Sequence, residues 1–233
     1  IMPVHLYGQP CEMDKIMAIA NKYNLYVVED NAQAHLAKYN NQITGSFGNI
    51  NATSFYPTKN IGAIGEAGCI TTQNLRLSEY ATKYRNYGSS EKYFCDIIGS
   101  NSRLDELQAA ILNVKLKYIE KWTSERQMIA KKYDQLLSKN SKITVPYIDS
   151  KAQHVYHLYV IKLDKRDQLQ QFLKEKGIGT AIHYPIPPHL QKAYVHLDYN
   201  KGDFPIAEEL ANTSLSLPLY PGLKDDNLIH IST

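Results

Sequence analysis

Two short stretches hold the residues whose types and spacing are suited to chemistry. "VVEDNAQAH" (27–35) places an acid, Asp30, three residues before an amide, Gln33, and five before an imidazole, His35. "SFYPTKN" (54–60) places a hydroxyl, Ser54, five residues before Lys59, with Pro57 stiffening the chain between them. The ordinary fate of a lysine is a solvated surface. The alternative is an amine aimed into a pocket as a nucleophile. Asp30 likewise has an ordinary reading, a turn or helix-capping aspartate, and His35 one as a structural hydrogen-bonder. The stretch after the lysine, "NIGAIGEAG" (60–68), is too rich in glycine for a helix. Gly62, Gly65 and Gly68 are expected to let backbone approach a ligand. The stretch matches neither a Walker loop nor a dinucleotide fingerprint, because no G-x-x-x-x-G-K-[ST] is present and no helix follows the glycines.

The elements that must position these groups follow from periodicity. "CEMDKIMAIANKY" (11–23) places Met13, Ile16, Met17, Ile19 and Ala20 on one helical face. "LYVVED" (25–30) reads as a buried strand ending at Asp30, and carboxyl ends of strands are where open α/β sheets bind ligands. "NINATSFY" (49–56) and "GCITTQ" (68–73) read as two further strands, and "NLRLSEYATKYRNYG" (74–88) as a helix with an Asn cap and a glycine stop. Residues 102–137 form one long helical pattern, with Ser102 and Asp105 as a capping box and a bend near Trp122. Thereafter "HVYHLYVIKL" (154–163) alternates as a strand and 166–179 as a helix stopped at Gly177. "HYPIPPHLQ" (183–191) is a proline-rich loop, and "FPIAEELANTSLSLPLYP" is a helix followed by an extended piece. The alternation is that of an α/β protein. The loop and composition shift divide it into 1–137, a large domain, and 138–233, a small one.

Composition narrows the function classes. The 233 residues carry a net charge of +3 with basic residues scattered rather than striped, which argues against a nucleic-acid surface. No apolar run is long enough to span a bilayer and no signal peptide is visible, so a cytoplasmic protein is expected. Cys11, Cys69 and Cys95 are an odd number without metal-type spacing, as in a reduced compartment, and no metal is expected. The 18 tyrosines suit clefts and interfaces as well as ordinary core packing. The opening "IMPVHLYGQP" starts inside a strand pattern and "NLIHIST" stops at the start of a strand or helix, so the sequence reads as a fragment.

Taken together, an aspartate that can keep a pyridinium nitrogen protonated, a serine for a phosphate and a lysine for an aldehyde are the handles that pyridoxal 5'-phosphate (PLP) requires. At this point the chain resembles a known family. "PVHLYGQPCEMD", "VVEDNAQAH", "GSFGNINATSFYPTKNIGAIGEAGCITT", "YRNYGSSEKY", "IGSNSRLDELQAAIL" and "HYPIPPHLQKAY" are similar, in order, to the DegT/DnrJ/EryC1/StrS aminotransferases of nucleotide-linked keto sugars. The resemblance implies the PLP-dependent transferase fold type I. That fold has a large domain with a mostly parallel mixed sheet, here without its N-terminal part, and a smaller C-terminal α/β domain. It also implies a homodimer with shared active sites. Carried over position by position, it makes Lys59 the Schiff-base lysine, Asp30 the partner of the pyridine nitrogen, Gln33 a contact of the ring or its hydroxyl, and Ser54 a phosphate ligand. Asn101 would reach the phosphate in the neighbouring subunit, with Arg103 as the other candidate in that loop. Tyr56 and His183 would face the sugar.

Family members carry roughly a hundred further residues ahead of this start, on the usual size of such domains. That region supplies a phosphate-binding helix terminus and a ring stacked on the cofactor. The stretch "VHLYGQ" resembles versions that act at C3 of dTDP-3-keto-6-deoxyhexoses, with glutamate as donor. Two other readings stand beside this one. A PLP-dependent sugar dehydratase would carry histidine in place of the lysine, which Lys59 opposes. A non-catalytic or regulatory member of the fold would not hold PLP at all.

Overall fold

The computed structural model describes residues 1–232. The chain forms two compact units, Ile1–Ser124 with Ile148–His157, and Glu125–Tyr147 with Leu158–Thr233. Composition places the change of domain at 137/138. By contacts the division falls inside a helix, and residues 148–157 belong with the first unit.

In the first unit, α1 (Met13–Lys22) leads into β1 (Val28–Asp30). Met13 and Ala20 are buried together with Val27 and Tyr39, and Ile16 and Met17 pack against them. Ile19, expected on this face, is 49% exposed. At 100° per residue it lies about 120° round the helix from Met13, outside the buried stripe. The strand is shorter than the apolar run 25–30. The Leu25 N–H closes the end of the helix on Ala20 O (2.8 Å), and Leu25 and Tyr26 face outward.

Two small strands, β2 (Lys38–Tyr39) and β3 (Gln42–Ile43), precede β4 (Ile50–Ser54) and β5 (Gly68–Thr71). β4 is the centre of the sheet. It pairs in parallel with β1, Asp30 lying opposite Ala52, and antiparallel with β5. The opening residues extend the parallel side, with Val28 N and Asp30 N donating to Ile1 O (3.0 Å) and Pro3 O (2.9 Å). The sheet is therefore mixed, and the fold is α/β.

α2 (Leu75–Tyr84) is capped as expected, Asn74 Oδ1 accepting from Leu77 N (3.3 Å), but it ends four residues before Gly88. A hairpin, β6 (Ser89–Glu91) and β7 (Phe94–Cys95), follows. The long helical pattern is broken at a 3-10 turn, Leu116–Tyr118, and not at Trp122, giving α3 (Glu106–Lys115) and α4 (Ile119–Leu137). The break lets Leu112 and Ile119 enter one cluster with Ile61 and Ala63. No capping box forms. Asp105 is itself the N-cap residue without a side-chain bond, and the Ser102 hydroxyl pairs with that of Ser100 (3.2 Å). β8 (Ala152–Gln153) completes a small antiparallel sheet in the order β3-β2-β8.

The second unit contains β9 (Tyr159–Lys162), α5 (Arg166–Glu175), α6 (Pro205–Thr213), β10 (Ser214–Leu217) and α7 (Asp225–Ser232). β9 and β10 pair antiparallel. The expected strand 154–163 starts only at Tyr159, because Tyr156 N turns back to donate to His154 Nδ1 (2.8 Å). α5 stops before Gly177 at φ +75°, and the terminal segment is helical. The core is built on tyrosines: Tyr133 stacks on Tyr159 at 4.7 Å and donates to Pro218 O (2.8 Å). Among the described residues no helix is long and apolar enough to cross a membrane.

One buried charge organises the loop that delivers the chain into β4. Glu29 is fully buried and accepts from Gly45 N (2.7 Å), Phe47 N (2.6 Å), Gly48 N (2.7 Å) and His5 Nε2 (2.9 Å). Burial alone would raise its pKa; the His5 and backbone hydrogen bonds win and hold it below the ordinary carboxylate value. His5 Nδ1 accepts from Cys11 N (3.1 Å), so its proton sits on Nε2 and faces the acid. Glu29→Gln turns two donors toward backbone donors. It is expected to cost about 3 kcal/mol or more in urea unfolding and to speed amide exchange at 45–48. A loss under about 1 kcal/mol would show that the hub is dispensable.

Candidate active site

Asp30 and Ser54 are the last residues of β1 and β4, two adjacent parallel strands, so the pairing alone sets both at the same sheet end. Asp30 Oδ1 accepts from Ala32 N (3.0 Å), which holds the carboxylate against the turn. Ser54 Oγ accepts from Tyr56 N (3.2 Å), leaving the hydroxyl proton to point elsewhere.

Lys59 follows on a tight turn, its N–H donating to Tyr56 O (2.9 Å). Immediately beyond it, Ile61 and Ala63 drop into the core beside Leu112, and Lys115 Nζ bonds Gly62 O (2.5 Å). The turn is thus pinned on its far side. Gly62 is required by this turn: a Cβ there would lie 2.5 Å from Pro57 O. A Cβ at Gly65 would lie 2.9 Å from the Gln108 side-chain amide and one at Gly68 2.9 Å from Thr53 O, so the protein's own atoms also approach closely at these glycines. The Lys59 amine is half-buried. Burial lowers its pKa below the ordinary lysine value, and the charge of Asp30 opposes that shift. Acid and amine therefore feel each other across the strand end.

His35 belongs to the same place. It is buried, stacked on Phe55 at 5.6 Å, and both ring nitrogens lack a hydrogen-bond partner of normal geometry. Burial pushes its pKa down to about 4. The Ser54 backbone, acting from beyond hydrogen-bond geometry, opposes this, and the Lys59 charge adds to it. Gln33 is buried, and its Oε1 accepts from Tyr7 N (2.6 Å), which turns its amide NH₂ side away from Tyr7. That bond holds Tyr7 in a left-handed backbone at φ 60°.

Of the other expected site residues, Tyr56 is hydrogen-bonded through its backbone to both Ser54 Oγ and the Lys59 N–H. Tyr56 is 45% exposed on the turn. Asn101 is exposed and forms an isolated bridge with Asn86; no hydrogen bond joins it to Asp30, Gln33, Ser54 or Lys59. Arg103 lies over the Tyr87 ring at 5.2 Å. His183 is in the second unit, its Nδ1 within 2.8 Å of the buried Ser216 hydroxyl. Residues unforeseen in the sequence also gather in the first unit: Tyr7, Asn60 and the strip His154–His157. The only signal for them was the pile-up of tyrosine and histidine in "HVYH".

The group suits a phosphorylated pyridine aldehyde. A carboxylate and a hydroxyl share one sheet end, and beside them an amine depressed by burial acts on a buried imidazole whose nitrogens are unsatisfied, as expected where a polar ligand or water completes a site.

Comparison with known proteins agrees. The family model described as the DegT/DnrJ/EryC1/StrS aminotransferase family matches residues 1–233. A "pleiotropic regulatory protein" of Geobacillus stearothermophilus is 46% identical over 229 residues, covering 97% of this chain and 61% of that one. A dTDP-3-amino-3,6-dideoxy-alpha-D-galactopyranose transaminase of Aneurinibacillus thermoaerophilus is 48% identical over 221 residues, 95% of this chain and 60% of that one. Among solved structures, S. venezuelae DesV in complex with a ketimine intermediate matches with a TM-score of 0.96 at 39% identity, covering 99% of this chain and 62% of its own. The chain thus spans about three-fifths of the length of these relatives.

Proposed function

The chain belongs to the DegT/DnrJ/EryC1/StrS aminotransferase family, and from that premise we propose that it is a PLP-dependent sugar aminotransferase. It moves an amino group from an amino acid, glutamate, to C3 of a dTDP-linked keto-deoxysugar. The observation that carries this reading is the burial-depressed amine of Lys59 within the field of Asp30, at the end of two parallel strands.

In this reading Lys59 holds the cofactor's aldehyde, Asp30 its ring nitrogen, Gln33 its ring or hydroxyl, and Ser54 its phosphate. When bound, PLP supplies an electron sink for the charge that develops at the donor's α-carbon. The chain's own residues do the rest. The Asp30 carboxylate keeps a proton on the nitrogen that faces it. Released when the donor's amine takes its place, the Lys59 amine would then be the base that takes and holds the proton from the donor's α-carbon. Its lowered pKa leaves more of the amine neutral near pH 7 than an ordinary lysine would have. Tyr56 and His183 are the residues assigned to the sugar, with the Ser216 contact fixing the imidazole of His183. The dimer with shared sites belongs to the same proposal, Asn101 acting on the neighbouring subunit's cofactor.

The test supplies glutamate with dTDP-linked 3-keto and 4-keto 6-deoxyhexoses and with a UDP-linked 3-keto sugar, and follows 2-oxoglutarate. Faster turnover of the dTDP 3-keto sugar is expected. Preference for the 4-keto or the UDP substrate would overturn the regiochemistry or the nucleotide. PLP retention without turnover of any of them would favour the regulatory reading, which the name of the Geobacillus relative keeps in view. Asn101→Ala is expected to weaken PLP retention about tenfold, the loss of one hydrogen bond to a charged group. Mixed with a Lys59→Ala variant it should restore part of the activity; no recovery in mixed dimers would remove the role across subunits.

A further inference from the structure

We propose that Asn60 and His157 form a positioning pair that sets the direction and environment of Lys59; this deepens the function proposed above and rests on it. Asn60 is the chain neighbour of Lys59 and is 7% exposed. Its Nδ2 donates to Val155 O (3.1 Å), so its Oδ1 is the acceptor left for His157 Nδ1 at 3.2 Å. The imidazole proton is thereby placed on Nδ1. Both amide ends are bound by one strip of chain, about a hundred residues away in sequence. A planar group held at both ends cannot turn, and neither can the backbone that carries it. The next two core anchors, Ile61 and Ala63, fix the turn from the other side.

The strip also reaches the second half of the site. Val155 is buried with Ala34 and Ala37, either side of His35. Val155 N donates to Gly8 O (3.0 Å). A Cβ on Gly8 would sit 3.0 Å from His157 N and 3.1 Å from Gln33 O, so only glycine, here at φ +102°, lets the opening segment close over both. Residues 154–157 therefore brace the Gln33 segment and the Lys59 turn against each other. A lysine on a loop needs such bracing: displacement of a reacting group by about 1 Å costs on the order of a hundredfold in rate.

The test needs a readout that stability alone does not move. Trace acetylation of the protein without PLP, mapped at Lys59 across pH, reports the amine's titration; borohydride fixation of added PLP reports capture. Asn60→Ala and His157→Phe are expected to raise the pH midpoint for Lys59 acetylation toward that of the other lysines. They should lower kcat about a hundredfold with little change in KM for the nucleotide sugar. His157→Gln, which keeps an N–H for Asn60 Oδ1, should return both toward wild type, and it decides the matter if Asn60→Ala does not fold. An unchanged acetylation midpoint and kcat in His157→Phe, with PLP still fixed at Lys59 in wild type, would overturn the positioning role alone. Absence of any PLP adduct at Lys59 in wild type would overturn the function and this inference together.

Discussion

Lys59→Ala is expected to abolish covalent capture of PLP and to lower turnover by at least about a thousandfold, the scale of a lost proton-transfer group. Borohydride treatment of the wild-type protein with PLP should fix an adduct that peptide mapping places at Lys59, and nowhere else in stoichiometric amount. The argument is physical. A lysine at the ordinary value of about 10.4 is nearly all protonated at neutral pH and a poor nucleophile. Half-burial at the end of β4 disfavours the charged form, and the field of Asp30 opposes this without cancelling it. Asp30→Asn removes that opposition. It is expected to lower the pH at which Lys59 reacts while impairing turnover, because the acid that would hold the ring proton is gone. A variant lacking Lys59 that still fixed PLP and turned over would return this residue to the class of solvated surface lysines.

The second large effect is on stability in mild acid. Burial holds His35 at about 4 and His154 at about 3, both below the ordinary 6.5. In each case the folded state favours the neutral ring, so between the two values the unfolded chain binds more protons. Stability then rises with pH. The contribution is complete above about 6.5 and is lost as pH falls toward 4 and then 3. Each histidine is expected to cost about 2 kcal/mol between pH 7 and about pH 5. The lowered carboxylates Glu29 and Asp14 have the same sign but act below about pH 4.5, so the upper window belongs to histidine. Urea midpoints at about pH 7 and about pH 5 should differ in wild type, and the difference should shrink in His35→Phe and again in the double variant with His154→Phe. A flat wild-type profile across that window would mean that these rings are hydrated or charged in the folded protein. PLP should reduce the His35 contribution if the ligand or its ordered water reaches the unsatisfied ring nitrogens.

Much of the scaffold was legible because it depends on local pattern. The periods of α1 and α5, the Asn74 cap, the Gly177 stop and the strands carrying Asp30 and Ser54 are decided by residues within a few positions of one another. The chemistry-bearing types were legible for the same reason: an acid at one strand end and a lysine just past another are sequence facts. Family membership follows from ordered motifs across the whole chain. What tertiary structure decided involves distant partners. The helix breaks at Leu116–Tyr118 because Leu112 and Ile119 must share a cluster with Ile61, and helical periodicity carries no information about that cluster. The glycines after Lys59 face Pro57, Gln108 and Thr53 because the chain folds back on itself there, a relation their composition does not encode. The Lys59 amine is depressed only once burial and Asp30 are both in place, and Asn60 meets His157 only when residues far apart in sequence are folded together. Residue type set what each group can do; burial and long-range pairing, which no short window of sequence contains, set which of them act together.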